Sequence, residues 1–233
     1  MIIALNNKSN LEKEDFLVYQ QELNSIKTLH EMILCPSSLY LSVCNLDRIN
    51  LGCQNVSPYD MGAHTGEIAA KQLAPLNVKY CLVGHSERRQ ELKETDSMVN
   101  HKIKRLLESN IIPILCIGET ASERDSNKTI EIIESQLHQA TRDLAKEDQQ
   151  KIIFAYEPIW AIGTGNIPTN QEIKAVFSKI NTLYPNNKVL YGGSANDTNI
   201  DKLKEVAEID GYLLGGLSLQ PKKLQSFLEK LEN

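Results

Sequence analysis

No apolar run in this chain of 233 residues approaches the ~18 needed to cross a bilayer as a helix, so a membrane span is not expected. The apolar start, Met1 to Leu5, is too short for a signal peptide and has no basic leader. Positive charge is in deficit: 25 Lys and Arg against 30 Asp and Glu leave a net charge of −5. No general basic field therefore invites nucleic acid or an acidic membrane surface, and a small anion would have to be held by local donors. Cysteine is sparse and unpatterned. Cys35, Cys44, Cys53, Cys81 and Cys116 form no CxxC pair and read as buried free thiols of a reducing cytoplasm. The five histidines are equally dispersed, so no metal site is expected. No linker, low-complexity run or composition shift marks a second domain, and no GxGxxG follows the first apolar run.

What remains is an ordinary globular composition, 41% hydrophobic and 24% charged, in a strongly repetitive order. Short apolar runs recur at 2–5, 32–35, 50–54, 80–83, 112–117, 152–156, 189–191 and 211–214. Between most of them lie stretches with helical spacing, at 11–23, 97–109, 129–144, 170–183 and 221–231. Continuous apolar strands alternating with amphipathic helices predict parallel strands covered by helices. Eight in one chain predict an α/β fold, a closed (β/α)8 barrel, with an open doubly wound sheet as the other architecture. The second unit is the weak one, because only residues 37–44 separate two strands and any helix there must be short.

Barrels place their chemistry where strands end. The most informative such end is the sixth, Phe154-Ala155-Tyr156-Glu157-Pro158-Ile159-Trp160-Ala161-Ile162-Gly163-Thr164-Gly165. A carboxylate closes an apolar strand, Pro158 restricts it to extended geometry, and a bulky apolar loop runs to a Gly-Thr-Gly exit. That is the pattern of a base beneath a lid hinged at both ends, whereas a plain surface loop would be short and polar. Strand one ends in Asn6-Asn7-Lys8. Lys8 is open to three readings: a cation for an anionic substrate, a Schiff-base lysine, or an ordinary surface lysine. Strand four ends in Gly84-His85-Ser86-Glu87-Arg88-Arg89. His85 opens a helix-like turn, whose backbone N–H groups favour a neutral imidazole able to donate a proton. The two arginines read as a salt-bridge network, and Glu87 reads either as part of it or as part of a site. Gly163, Gly192-Gly193-Ser194 and Gly215-Gly216 lie at later strand ends, where bare backbone N–H groups and the Ser194 hydroxyl can approach a phosphate.

Over nearly its full length the chain resembles the triosephosphate isomerase family. The resemblance is carried by Asn6 to Lys8, Gln54-Asn55, Gly62 to Glu67, GHSERR at 84–89, Cys116-Ile117-Gly118-Glu119, AYEPIWAIGTG at 155–165, Tyr191 to Ser194 and Asp210 to Gly216. It implies a single-domain (β/α)8 TIM barrel over residues 1–233. It also implies interconversion of dihydroxyacetone phosphate and D-glyceraldehyde 3-phosphate through an enediolate, without cofactor or metal. Glu157 would be the base, with Ile162 and Leu213 closing over it. His85 would donate to the carbonyl oxygens, and Lys8 would hold charge near the oxyanion and the phosphodianion. Asn6 would position Lys8 and substrate, and Gly163, Ser194, Gly215 and Gly216 would bind phosphate. The resemblance further implies a cytoplasmic homodimer. Its loop 54–67 would insert into the partner, so that Thr65 supports Asn6 and Glu87 across the interface. The chain departs from the pattern at Asn7, where Trp is usual, at Asn166 to Pro168 on the lid exit, at Leu217 and at His64.

Overall fold

The structure, a computed structural model, describes residues 1–164 and 166–232. Eight strands form one closed parallel barrel in chain order: β1 (Ile2–Asn6), β2 (Glu31–Cys35), β3 (Ile49–Cys53), β4 (Tyr80–Val83), β5 (Ile112–Ile117), β6 (Ile153–Tyr156), β7 (Val189–Tyr191) and β8 (Gly211–Leu214). The last strand returns to the first, with Ile2 beside Gly211 and Leu5 beside Leu214. Around the barrel run α1 (Lys13–Asn24), α2 (Ala70–Leu73), α3 (Ser86–Glu91), α4 (Asp96–Glu108), α5 (Ala121–Asp125), α6 (Thr129–Ala140), α7 (Lys146–Gln149), α8 (Asn170–Leu183), α9 (Ile200–Leu203) and α10 (Pro221–Glu232).

The strands are apolar on both faces because both are buried. Alternate residues separate into two layers. Ala4, Ile33, Cys35, Leu82, Ile114, Cys116, Ala155, Leu190 and Leu213 fill the barrel. Their neighbours Leu5, Leu34, Val83, Leu115, Phe154 and Tyr212 pack outward with helix residues such as Phe16, Ile103, Phe177 and Phe227. The same alternation sets up the site. Asn6 follows Ala4 at the end of β1, and Glu157 follows Ile153 and Ala155 one step beyond β6.

The second unit is short, as its sequence requires: a 3-10 helix, Ser38–Val43, is all that joins β2 to β3. The third strand begins one residue earlier than its apolar run suggests and stops at Cys53. Gln54 leaves the sheet, and its amide donates to the carbonyls of Lys8 at 2.8 Å and Cys35 at 3.1 Å. The helix expected over 129–144 ends at Ala140. There the Thr141 hydroxyl donates back to the Leu137 carbonyl at 2.8 Å, and Asp143 turns left-handed with φ 62°. The lid exit passes straight into α8, where Thr169 caps Glu172 N–H and Glu172 caps Thr169 N–H in return.

Cys35, Cys53, Cys81 and Cys116 are buried and unpaired, and Cys44 is half-buried. Burial raises the thiols of Cys35, Cys81 and Cys116 well above the ordinary cysteine range, and that of Cys44 to about 11. Among the described residues no helix is long and apolar enough to cross a membrane.

Candidate active site

Glu157 is 2% exposed at the mouth of the barrel. It has room there because its neighbours lack side chains. A Cβ on Gly118 would fall 1.7 Å from the Glu157 carbonyl oxygen, and one on Gly192 would fall 2.9 Å from the Glu157 Cγ. One carboxylate oxygen lies 3.0 Å from His85 Nε2, and the other accepts the Ser86 N–H at 2.9 Å. Burial alone would raise the pKa of this carboxyl. The facing imidazole and the Ser86 N–H outweigh burial and hold it below the ordinary carboxylate range.

His85 is the N-cap of α3, and its Nδ1 accepts the Glu87 N–H at 3.3 Å. A ring that accepts at Nδ1 carries its single proton on Nε2, facing Glu157. Burial lowers the His85 pKa, but the Glu157 carboxylate more than offsets this and raises it in the resting pair. The Glu87 N–H opposes a second proton by claiming the Nδ1 lone pair.

Lys8 has left-handed backbone geometry, φ 54°, and its N–H is held by Asn6 Oδ1 at 3.1 Å. Its ammonium pairs with Glu87. Its stem runs over Gly215, where an added Cβ would meet Lys8 Cε at 3.4 Å. Glu87 thus belongs to the cluster, with its second oxygen 3.6 Å from His85 Nδ1. The two arginines behave as the plainer reading expects. Arg88 binds Glu94 at 2.6 Å, and Arg89 binds Asp96 at 2.6 Å and the Gly84 carbonyl at 2.7 Å. These contacts fix the β4 end that carries His85.

A cleft of about 510 Å³ brings Asn6, Lys8, His85 and Glu157 together with Gly163, Ser194, Gly215 and Gly216. Ile162 and Leu213 line the same cleft. One face therefore holds a buried carboxylate, an imidazole, an ammonium and a glycine-rich cradle.

The triosephosphate isomerase family profile matches residues 1–231. The chain belongs to the triosephosphate isomerase family. It is 39% identical to the triosephosphate isomerase of Emericella nidulans over 231 residues, covering 93% of this chain and 92% of that one. With the enzyme of Dictyoglomus turgidum it shares 40% identity over 242 aligned residues, 97% and 96% of the two chains. The enzyme of Mesomycoplasma hyorhinis is 46% identical over 188 residues, 80% of this chain and 75% of its own.

In this family member the segment after Glu157, where the sequence predicts a lid, is anchored at its start. Trp160 Nε1 donates to Glu119 at 2.8 Å, and the Arg124 guanidinium lies 3.9 Å over the Trp160 ring while also binding Glu172 at 2.7 Å. Gly163 takes φ 71°, a conformation that favours glycine. Gly165, the second glycine of the expected exit hinge, lies outside the described residues. The Ser194 hydroxyl donates to the Ala161 carbonyl at 2.7 Å. Thr65 is not brought into the cluster, and is exposed on loop 54–67. Sequence reasoning missed Lys223, a second cation on the same cleft. Its only signal was a lysine in the first turn of the helix after Gly215-Gly216.

Proposed function

We propose that this family member interconverts dihydroxyacetone phosphate and D-glyceraldehyde 3-phosphate with Glu157 as the proton carrier, His85 as the proton donor and Lys8 as the electrostatic partner. The observation that carries these roles is the pairing of a buried Glu157 with His85 in a cleft that also contains Lys8 and the glycine cradle.

The reaction moves one proton between adjacent carbons and another from the hydroxyl oxygen to the carbonyl oxygen, and consumes nothing else. At rest Glu157 is engaged by His85 and Ser86. To reach a substrate carbon it must release both, and it then loses the two strongest influences that depress its pKa, keeping only the weaker one of Lys8. Burial, which raises it, remains, so the carboxylate becomes a stronger base as it engages substrate. The same movement removes the Glu157 charge, the stronger of the two that raise His85, and leaves the Glu87 carboxylate 3.6 Å from Nδ1. Burial, the Glu87 N–H and the Lys8 charge favour a neutral ring with its proton on Nε2, ready to give it to the carbonyl oxygen and recover one from the adjacent hydroxyl. Lys8, held by Asn6, offers positive charge to the oxyanion and the phosphodianion. Gly163, Ser194, Gly215 and Gly216 offer backbone N–H groups to the phosphate. Ile162 and Leu213 help to exclude water above the base.

We also place the working enzyme in the cytoplasm as a homodimer. Five unpaired cysteines support the reducing compartment. The exposed tip of loop 54–67 supports the dimer: Tyr59 is 53% exposed and Met61 61% exposed. Beside them a second cleft, lined by Gly66, Glu67, Lys8, His85 and Glu87, is where a neighbouring copy's Thr65 would reach Asn6 and Glu87.

The test compares wild type with Glu157→Gln on D-glyceraldehyde 3-phosphate. Gln keeps the shape and removes the base, so turnover is expected to fall by about 10³-fold or more. Equal turnover in the two proteins would remove Glu157 from the mechanism.

A further inference from the structure

Behind Lys8, at the seam between β1 and β8, lies a polar cluster that the chemistry above does not use. Asn7 is 2% exposed, Tyr19 5% and Ser218 0%. The Tyr19 hydroxyl donates to the Ser218 carbonyl at 2.7 Å, and the Ser218 hydroxyl donates to the Asn6 carbonyl at 3.1 Å. Both hydroxyls have spent their only hydrogen, so each can only accept a further bond. The Asn7 amide supplies both, with Nδ2 donating to Tyr19 Oη at 3.1 Å and to Ser218 Oγ at 3.2 Å. This donor order fixes the orientation of the Asn7 amide, whose Oδ1 is buried with no hydrogen-bond partner among the described residues. Burying such a cluster is costly compared with apolar packing, and on the buried face of α1 Tyr19 sits among Phe16, Leu23 and Gln20, whose amide oxygen is engaged elsewhere by the Asn45 N–H.

The cluster joins the two segments that must meet one phosphodianion. On one side are Asn6 and Lys8, the latter held left-handed with its carbonyl bound by Gln54 at 2.8 Å. On the other is the loop Gly215 to Leu219, in which Ser218 N–H also closes onto the Gly215 carbonyl at 2.9 Å. The Lys8 stem crosses Gly215 directly above this junction. Lys8 and the glycine donors sit on different strands, and the two Ser218 bonds, to Asn6 and to Tyr19, set their separation.

We propose that Asn7, Tyr19 and Ser218 are positioning residues that clamp Lys8 against the phosphate-binding loop and so set phosphate affinity. This rests on the reading of Lys8 and Gly215-Gly216 as phosphate contacts. The test measures kinetics on D-glyceraldehyde 3-phosphate, competitive inhibition by inorganic phosphate, and melting temperature for Tyr19→Phe, Ser218→Ala, the double variant and Lys8→Met. Tyr19→Phe keeps the ring and removes two hydrogen bonds, the one given to the Ser218 carbonyl and the one taken from the Asn7 amide, so KM and the phosphate inhibition constant are each expected to rise about fivefold. The double variant should lose less than the product of the two single losses, because both bonds act on Ser218. A melting temperature that falls while KM and phosphate inhibition stay at wild-type values would reduce the cluster to a packing role and overturn the proposal. Should Ser218→Ala fail to fold, Tyr19→Phe alone decides. Wild-type activity in Lys8→Met would overturn the site reading and the clamp with it. An impaired Lys8→Met beside an unaffected Tyr19→Phe would overturn the clamp alone.

Discussion

One methyl group, added at Gly192, tests whether the position of Glu157 is what makes it a base. Gly192 follows β7 in ordinary backbone geometry, so alanine brings no φ penalty. Its Cβ would lie 2.9 Å from Glu157 Cγ, 3.2 Å from the Tyr156 carbonyl and 3.7 Å from Leu213 Cβ. Two of those three neighbours are tight, and only the carboxylate arm can yield easily. Ordinary carbon contact is about 3.8 Å, so the arm must move by about 1 Å. A displacement of that size at a reacting group costs about 10²-fold in rate, or ~2.7 kcal/mol of barrier. The cost to the fold is that of overpacking, about 1–3 kcal/mol, which for a chain of this length lowers the melting temperature by roughly 2–12 °C. The added methyl meets Glu157, Tyr156 and Leu213 and none of the phosphate donors, so KM should stay within a factor of a few. The assay is steady-state kinetics on D-glyceraldehyde 3-phosphate with calorimetry on the same samples. A Gly192→Ala enzyme with wild-type kcat would refute the claim that Glu157 geometry limits the reaction. A raised KM with intact kcat would instead put Gly192 in the phosphate site.

Gly216→Ala is the matched opposite: its Cβ meets nothing within 4 Å, so the fold should be untouched while the methyl stands in the phosphate cradle. The expected result is an unchanged melting temperature with KM raised about tenfold, roughly one charge-assisted hydrogen bond, and an unchanged KM would count against the cradle. Thr65→Arg puts a charged side chain on the exposed loop 54–67 and should give a monomer by sedimentation, with kcat/KM down about 10²-fold; a fully active dimer would sink that reading. The resting Glu157–His85 pair also predicts a pH signature. Glu157 is lowered from its ordinary value of 4.5, so its contribution is present above that pH and is lost as pH falls through the depressed folded value. His85 is raised from 6.5, so its contribution is complete below that pH and is lost as pH rises through the elevated folded value. The melting temperature of wild type minus that of Glu157→Gln should therefore peak between pH 4.5 and 6.5 and narrow on both sides, and a difference that stays flat from acid to alkali would contradict the pairing.

What could be read from the sequence was whatever depends on periodicity or on residue type at a strand end. Eight apolar runs gave eight strands, because a strand buried on both faces has no polar positions to blur it. Glu157 stood out for the same reason, as a charge at the end of four apolar residues. The short helices α2, α5, α7 and α9, of four or five residues, complete barely one turn and leave no amphipathic repeat to find. Helix α6 was read too long, since Leu144 continues the spacing while Asp143 breaks the backbone. Ser194 was assigned a donor role by type, but its hydroxyl depends on where the lid carbonyl of Ala161 comes to rest.

Asn7 is the most instructive miss. Its sequence signal was only an unexpected asparagine beside Lys8, which announces altered packing without saying of what kind. Its partners lie 12 and 211 residues away, on α1 and after β8, and no local pattern connects them. Barrel closure does connect them, because β8 returns to β1 and delivers Ser218 to the Asn6 carbonyl. Strand order was legible from the apolar runs, and it is the strand order that makes the far end of the chain a neighbour of its beginning. The chemistry of Lys8 is therefore set by a serine at the other end of the sequence, and Tyr19→Phe is the substitution that exposes this dependence with least damage to the core.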